Sequence, residues 1–553
     1  MPERQPGPAA VVAVATAAIV AATWPLAVRP GELLGHALGE TDNHVWMLWR
    51  QLELWAGRGP VANLPDGLPI PYMDVVNLPL ALPTAFFDVA LAYNQVLVLN
   101  LALAFWGAWA LARELGASPR AALTAGVGCA TAPFLGGVTD FGITESLPVG
   151  WIGLHTAWLL AWGRTGRLRY AIGAGVALAA FVLAGWYHAV FGLVVEAVVA
   201  PWVLFRYGRP LGVLAQGLGA AIVVVPRLLA FLEVRSFWAS RWREPGGEPP
   251  ALVHAWRELP VAGTDALNLV LPALESVQIS KAVYIGSILI VLASIAGRRA
   301  ALCWAVALPL WVLALGHWVR VGGHVLGPGP ARWLTDSVPS LQGLSHWHRA
   351  AGPAVVFVAA AAALGVERIR WRGLAWLAPA LVVLDSLGFS QTPWPRPMHA
   401  VDAPAAYATL DAPGAAVLLP FDNGRREFTD DVPRIYNRWQ PELDRPVSEN
   451  YEGPDALLTA NGLIAEADRR CGVKPTVPRS WRKRADPPEL DTVAQRRQAH
   501  DELAELGIRY VLMHRDRAET PERAEKLLVL VLGAPRVEGE LAIFEVDPGI
   551  YPE

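Results

Sequence analysis

Residues 8–28 read PAAVVAVATAAIVAATWPLAV, and a short polar stretch later residues 39–49 read GETDNHVWMLW. The first run is long enough to cross the roughly 30 Å hydrocarbon core of a bilayer. A signal peptide is the competing reading, with Glu3 and Arg4 as its charged start. The run ends in Trp24-Pro25 without a small-residue cleavage site, however, and is read as an uncleaved span. The second stretch gathers Glu40, Asp42, Asn43, His44 and two tryptophans beside that span. Ionisable groups at the mouth of a hydrophobic bundle are costly unless partnered or used, so this is the first candidate site.

Working outward, the 553 residues are 54% hydrophobic and 17% charged, against about 25% charge in a soluble domain. Ten further apolar runs follow, at 91–111, 121–136, 147–162, 170–185, 189–205, 211–232, 282–296, 301–318, 351–364 and 374–387. The expectation is an α-helical polytopic membrane protein of about eleven spans. More than half of the charged residues fall after Gln391, which divides the chain into a membrane part, 1–390 with a first outer loop at 29–90, and a soluble part, 391–553. Short alternate loops hold Arg113 and Arg120, then Arg164, Arg167 and Arg169, then Arg206 and Arg209, then Arg298 and Arg299, then Arg368, Arg370 and Arg372. The positive-inside rule makes that side cytoplasmic and leaves the acidic loop, the loops at 139–146, 233–281 and 320–349, and the C-terminal domain outside.

Within the first outer loop, residues 43–55 fit an amphipathic helix on the membrane surface with Val45, Leu48, Leu52 and Trp55 on one face. In the soluble part, 415–420, 508–513 and 541–546 read as buried strands and 492–506 and 521–530 as helices, giving an α/β domain. No Gly-rich phosphate loop opens a helix there, and no G-x-S-x-G, H-E-x-x-H or Walker sequence occurs anywhere. A net charge of -3 with dispersed basic residues excludes nucleic acid as a partner. Cys129, Cys303 and Cys471 are too far apart for a disulfide framework or a metal-ligand spacing.

Each candidate residue has a plain structural reading beside the functional one. Thr41 or Asp42 is suited to cap a helix starting near Asn43, although capping leaves Glu40 and His44 unexplained. Asp140 and Glu145 lie in TDFGITES, residues 139–146, which reads equally as an ordinary polar loop. If the two loops converge, their carboxylates share a proton or a divalent metal, the one cofactor left open. His188 follows Trp186-Tyr187 at the outer start of a span, where an aromatic belt explains it. In SHWHR, residues 345–349, His346, His348 and Arg349 are suited to hold a phosphate, or simply to snorkel at the headgroups. Lys281, the first lysine in the chain, lies with Tyr284 at another outer span start and is a second cation for a lipid phosphate.

The order of a first span, an acidic outer loop, about ten more spans and an outer soluble domain resembles the GT-C superfamily of polytopic glycosyltransferases. The runs GETDNHVWMLW, NLPDG, VVNLPLALP and AYNQVLVLNLALAFWGAWALAREL look like those of bacterial GT-C-like membrane proteins, and AAVLLP, RPVSENY and LGIRYVLMHR are similar to their outer domain. The resemblance implies a bacterial plasma-membrane enzyme, inverting, that takes a sugar from a polyprenyl-phosphate donor to a lipid, glycan or protein acceptor. It implies an acceptor-activating carboxylate acting as base or metal ligand, which maps to Asp42, with Glu40 as the second choice. The adjacent Asp-Glu pair of protein mannosyltransferases is absent here, and the acceptor class stays open. The rival reading is a non-catalytic transporter or assembly factor for envelope lipids or polysaccharides. Such a protein needs a polar path through the spans, where the main charged residues are Glu196, Arg227 and Asp385. The soluble domain, with 435–439 and the SENY stretch ending at Tyr451, is expected to contact the acceptor.

Overall fold

The computed structural model describes residues 5–36, 39–57, 75–85, 88–242, 264–272, 283–338, 341, 344, 346–390, 392–401, 403–420, 461–472 and 488–547. The chain forms two compact units. The first comprises Met1–Thr41, Tyr72–Leu232 and Pro250–His399, and the second Asp42–Pro71, Glu233–Pro249 and Ala400–Glu553. NLPDG, Lys281, Ser345, 435–439 and the SENY stretch lie outside the described residues.

The first unit is a multi-pass helical membrane body. Among the described residues six helices are long and apolar enough to cross a membrane: Val89–Glu114, Pro119–Phe141, Trp186–Tyr207, Pro210–Leu229, Ser287–Ala314 and Trp347–Val366. Shorter apolar helices stand at Pro8–Ala22, Leu168–Leu183 and Gly373–Gly388. The run expected at 121–136 is two helices, Pro119–Ala130 and Pro133–Phe141, with Thr131 ending the first and Pro133 starting the second. The runs at 282–296 and 301–318 are the helices Ser287–Ala296 and Ala301–Ala314, joined by a 3₁₀ turn that carries Arg298 and Arg299. Large apolar side chains such as Phe205, Leu211 and Leu193 point outward, as lipid-facing positions do.

The helix Ala351–Val366 is buried along its whole length and packs against Pro119–Ala130, Ser287–Ala296 and Ala301–Ala314. Its sequence is mostly alanine, glycine and valine because helices in lipid associate by close packing rather than by hydrophobic exclusion. The unit's two ends are tied by a short antiparallel pairing of Leu33–Leu34 with Met398–His399. Two carboxylates in the spans have partners. Asp385 accepts from Tyr284 Oη at 2.7 Å and from the Ile288 N–H at 2.8 Å, and so caps the Ser287–Ala296 helix from outside it. Glu196 pairs with His155 Nε2 and accepts from Gln216 Nε2 at 3.1 Å.

In the second unit, Ala415–Leu419 runs parallel to Ile508–His514, which pairs antiparallel with Leu541–Glu545, itself antiparallel to Arg536–Glu538. The expected strands and both expected helices form, as Val493–Glu505 and Pro521–Leu532. Thr492 closes a capping box with Gln495, which fixes the start of the first of these helices. A parallel neighbour demands a long crossover, and this one contains a helix missed in the sequence, Gly462–Arg470.

The surface-helix expectation for 43–55 is corrected. The helix is Thr41–Trp55, and every residue from Asp42 to Gln51 is buried, including Arg50, whose guanidinium lies over the Trp46 ring. An interfacial helix keeps one face in water, whereas residues 42–51 here are all covered.

Candidate functional site

The two polar loops converge. The His36 N–H donates to the Asp140 carbonyl at 2.6 Å and the Glu40 N–H to the Phe141 carbonyl, also at 2.6 Å. The approach depends on missing side chains. Gly142 ends the Pro133–Phe141 helix at φ +78, and a Cβ there would stand 2.4 Å from Thr41 Cα. A Cβ on Gly39 would stand 2.7 Å from the Phe141 carbonyl oxygen. Residues 139–146 are therefore buried packing and not the solvated loop that polarity alone suggests.

Beyond Gly142 the 3₁₀ turn Thr144–Ser146 carries Glu145. Asn77 holds this turn by donating to the Thr144 carbonyl at 3.3 Å, and Asn100 in turn donates to Asn77 Oδ1 at 2.8 Å. Arg349 reaches Glu145 from a second 3₁₀ turn, Trp347–Ala350, which leads into the Ala351–Val366 helix. Its Nη1 donates to Glu145 Oε1 at 2.6 Å, its guanidinium lies 5.1 Å from the Tyr187 ring centroid, and the Glu40 carboxylate acts on it electrostatically. The Arg349 Nε has no hydrogen-bond partner among the described residues. In that turn Trp347 is fully buried in the core.

The other candidates take distinct places. The His346 N–H donates to Tyr187 Oη at 2.8 Å, and the His346 and His348 rings stand 5.7 Å apart. His188 is buried against the Phe181 ring at 4.7 Å. Tyr284 is engaged in capping with Asp385 and Ser287. Asp140 is enclosed and bound by Arg396, whose Nη1 donates to its Oδ2 at 2.9 Å. Asp42 and His44 are buried in the first turns of the Thr41–Trp55 helix; two positions apart on a helix, they face nearly opposite sides. Asp42 lies in the first turn of that helix. Among the described residues no three His, Cys, Asp or Glu side chains gather as metal ligands.

Sequence reasoning missed Arg396, Asn77 and the role of Tyr187. The one signal for Arg396 was a lone arginine between prolines after the last span, in PWPRPM.

No family model and no curated protein matches the chain. Among solved structures, the mycobacterial arabinofuranosyltransferase AftD matches with a TM-score of 0.51 and 15% identity, over 98% of this chain and 42% of AftD. ArnT from Cupriavidus metallidurans in its apo state matches with a TM-score of 0.48 and 12% identity, over 97% of each chain. The archaeal oligosaccharyltransferase AglB from Archaeoglobus fulgidus matches with a TM-score of 0.41 and 12% identity, over 93% of this chain and 72% of AglB. The chain spans less than half the length of AftD, and at such identity the likeness shows the fold alone. The fold of this chain is therefore similar to that of AftD over the matched part.

Proposed function

We propose that the protein is an inverting glycosyltransferase that moves a sugar from a polyprenyl-phosphate donor to an envelope lipid, glycan or protein acceptor at the outer face of a bacterial plasma membrane. The observation that supports this most is the convergence of the acidic loop with the turn bearing Glu145 and its partner Arg349, in a fold shared with a membrane glycosyltransferase. In this reading Asp42, or failing it Glu40, takes the proton of the acceptor hydroxyl. The acceptor oxygen forms a bond to the anomeric carbon while the bond from that carbon to the phosphate oxygen breaks, and the polyprenyl phosphate leaves with the electron pair. Glu145 holds one N–H of Arg349, and the Nε donor remains for an oxygen of the departing phosphate. Lys281 is a second cation for the same charge. General-base help of this kind is typically worth roughly 10²- to 10⁴-fold.

The test is transfer of label from a radiolabelled extract of polyprenyl-phosphate-linked sugars to membranes of cells lacking the protein. Purified wild-type protein should transfer, and Arg349→Lys should bind undecaprenyl phosphate more weakly and transfer less. A non-catalytic transporter remains the second reading, favoured by one observation: the Glu196, His155 and Gln216 polar cluster within the spans. A transporter loses function in Glu196→Gln and keeps it in Asp42→Asn; a transferase shows the reverse.

A further inference from the structure

Arg396 lies just after the last span and is almost fully enclosed. Its backbone N–H donates to the Trp24 carbonyl at 2.8 Å and its Nε to the Ala22 carbonyl at 3.0 Å, where the first helix ends. Its Nη1 reaches the Pro393 carbonyl at 3.3 Å and Asp140 Oδ2 at 2.9 Å. Gly136 makes room for it, because a Cβ there would stand 2.5 Å from Nη2. Next to it the Gly35 N–H donates to the Pro397 carbonyl at 3.0 Å, and Leu33–Leu34 pairs with Met398–His399.

These bonds converge on one segment. Arg396 fixes the last turn of the Pro133–Phe141 helix through Asp140, and the carbonyls of that turn receive the N–H groups of His36 and Glu40. Stability alone does not call for such a pair, since a buried ion pair is often matched or exceeded by apolar residues of the same volume. A rigid fork that bonds three elements at once gives a fixed position, which an apolar contact does not.

We propose that Arg396, acting through Asp140, is a positioning residue that sets where His36 and Glu40 of the acidic loop stand against the last turn of the Pro133–Phe141 helix. The inference rests on the transferase reading above. Arg396 touches no substrate; it holds the turn on which the acidic loop is hung.

The experiment uses the full chain in lipid nanodiscs, with Arg396→Lys and Asp140→Asn, and Gly136→Ala, which keeps both charges and crowds the guanidinium. Amide hydrogen exchange at 36–41 should accelerate roughly tenfold or more in all three, while the Ala351–Val366 helix keeps its wild-type exchange. Turnover number with the labelled donor extract should fall about tenfold or more, as misplacement does, with undecaprenyl phosphate affinity unchanged. Unchanged exchange at 36–41, or equal acceleration throughout the Ala351–Val366 helix, would overturn the proposal. A wild-type protein that transfers no sugar contradicts the transferase reading instead, and the exchange result still decides whether Arg396 holds the loop.

Discussion

Arg349 Nη1 lies 2.6 Å from Glu145 Oε1, joining residues 204 positions apart, and both side chains are buried. Removing one partner of a buried pair leaves an uncompensated charge and costs about 3–5 kcal/mol. Arg349→Ala and Glu145→Ala should each lose stability on that scale. The double variant should lose clearly less than the sum, because it buries no lone charge. Unfolding of the detergent-solubilised protein measures all four species, and strict additivity would show that the two groups are not coupled.

The backbone contact at Gly365 sets a packing prediction. An added Cβ there would stand 1.8 Å from the Leu292 carbonyl oxygen, so Gly365→Ala must push two helices apart. The expected loss is about 1–3 kcal/mol. Gly217→Ala, where nothing lies within 4 Å, should be neutral or stabilising. Thermal unfolding of the two variants side by side checks the contrast.

His514 gives a pH dependence to the second unit. Burial, and then the nearby Arg517 charge, push its imidazole down from its ordinary 6.5 to about 3. Its Nε2 meets Tyr407 Oη at 2.9 Å. Between about 3 and 6.5 the unfolded chain binds the proton that the folded chain refuses, so stability rises with pH across that window. The contribution is present above 6.5 and is lost as pH falls toward 3. Protection of the Ile508–His514 strand amides, taken relative to their intrinsic exchange rates at each pH, should therefore fall on acidification, and His514→Gln should flatten that dependence. An identical acid profile in His514→Gln would remove His514 as its source.

What the sequence made legible was local. Short apolar runs marked the strands at 415–419, 508–514 and 541–545, and the stretches 492–506 and 521–530 read as the helices that form there. The apolar runs marked the membrane body. Partners far apart in the chain were not legible: Arg396 and Asp140 are 256 positions apart, and no periodicity links them. Tyr284 read as a headgroup contact because its cap partner Asp385 comes 101 residues later. The 43–55 pattern read as amphipathic because hydropathy does not reveal that Arg50 is covered over Trp46.

By the positive-inside rule the arginine-bearing loops are expected on the cytoplasmic side. The N-terminus should be cytoplasmic and residues 391–553 extracytoplasmic. A reporter fused after Glu553 should be active only outside the cytoplasm. Activity only inside would mean that the number of crossings differs from the expected one by an odd number.

The most direct test of sugar transfer is the product formed per folded molecule by purified wild type, Asp42→Asn and Glu40→Gln from a labelled polyprenyl-phosphate sugar. Asp42 lies buried in the first turn of the Thr41–Trp55 helix, where losing its charge costs up to about 2 kcal/mol in helix-dipole interaction, so the Asn variant should fold. As the base, its loss should lower turnover by roughly two orders of magnitude or more in that folded protein. A selective loss in Glu40→Gln would move the role two residues upstream. Wild-type turnover in both variants would contradict the account.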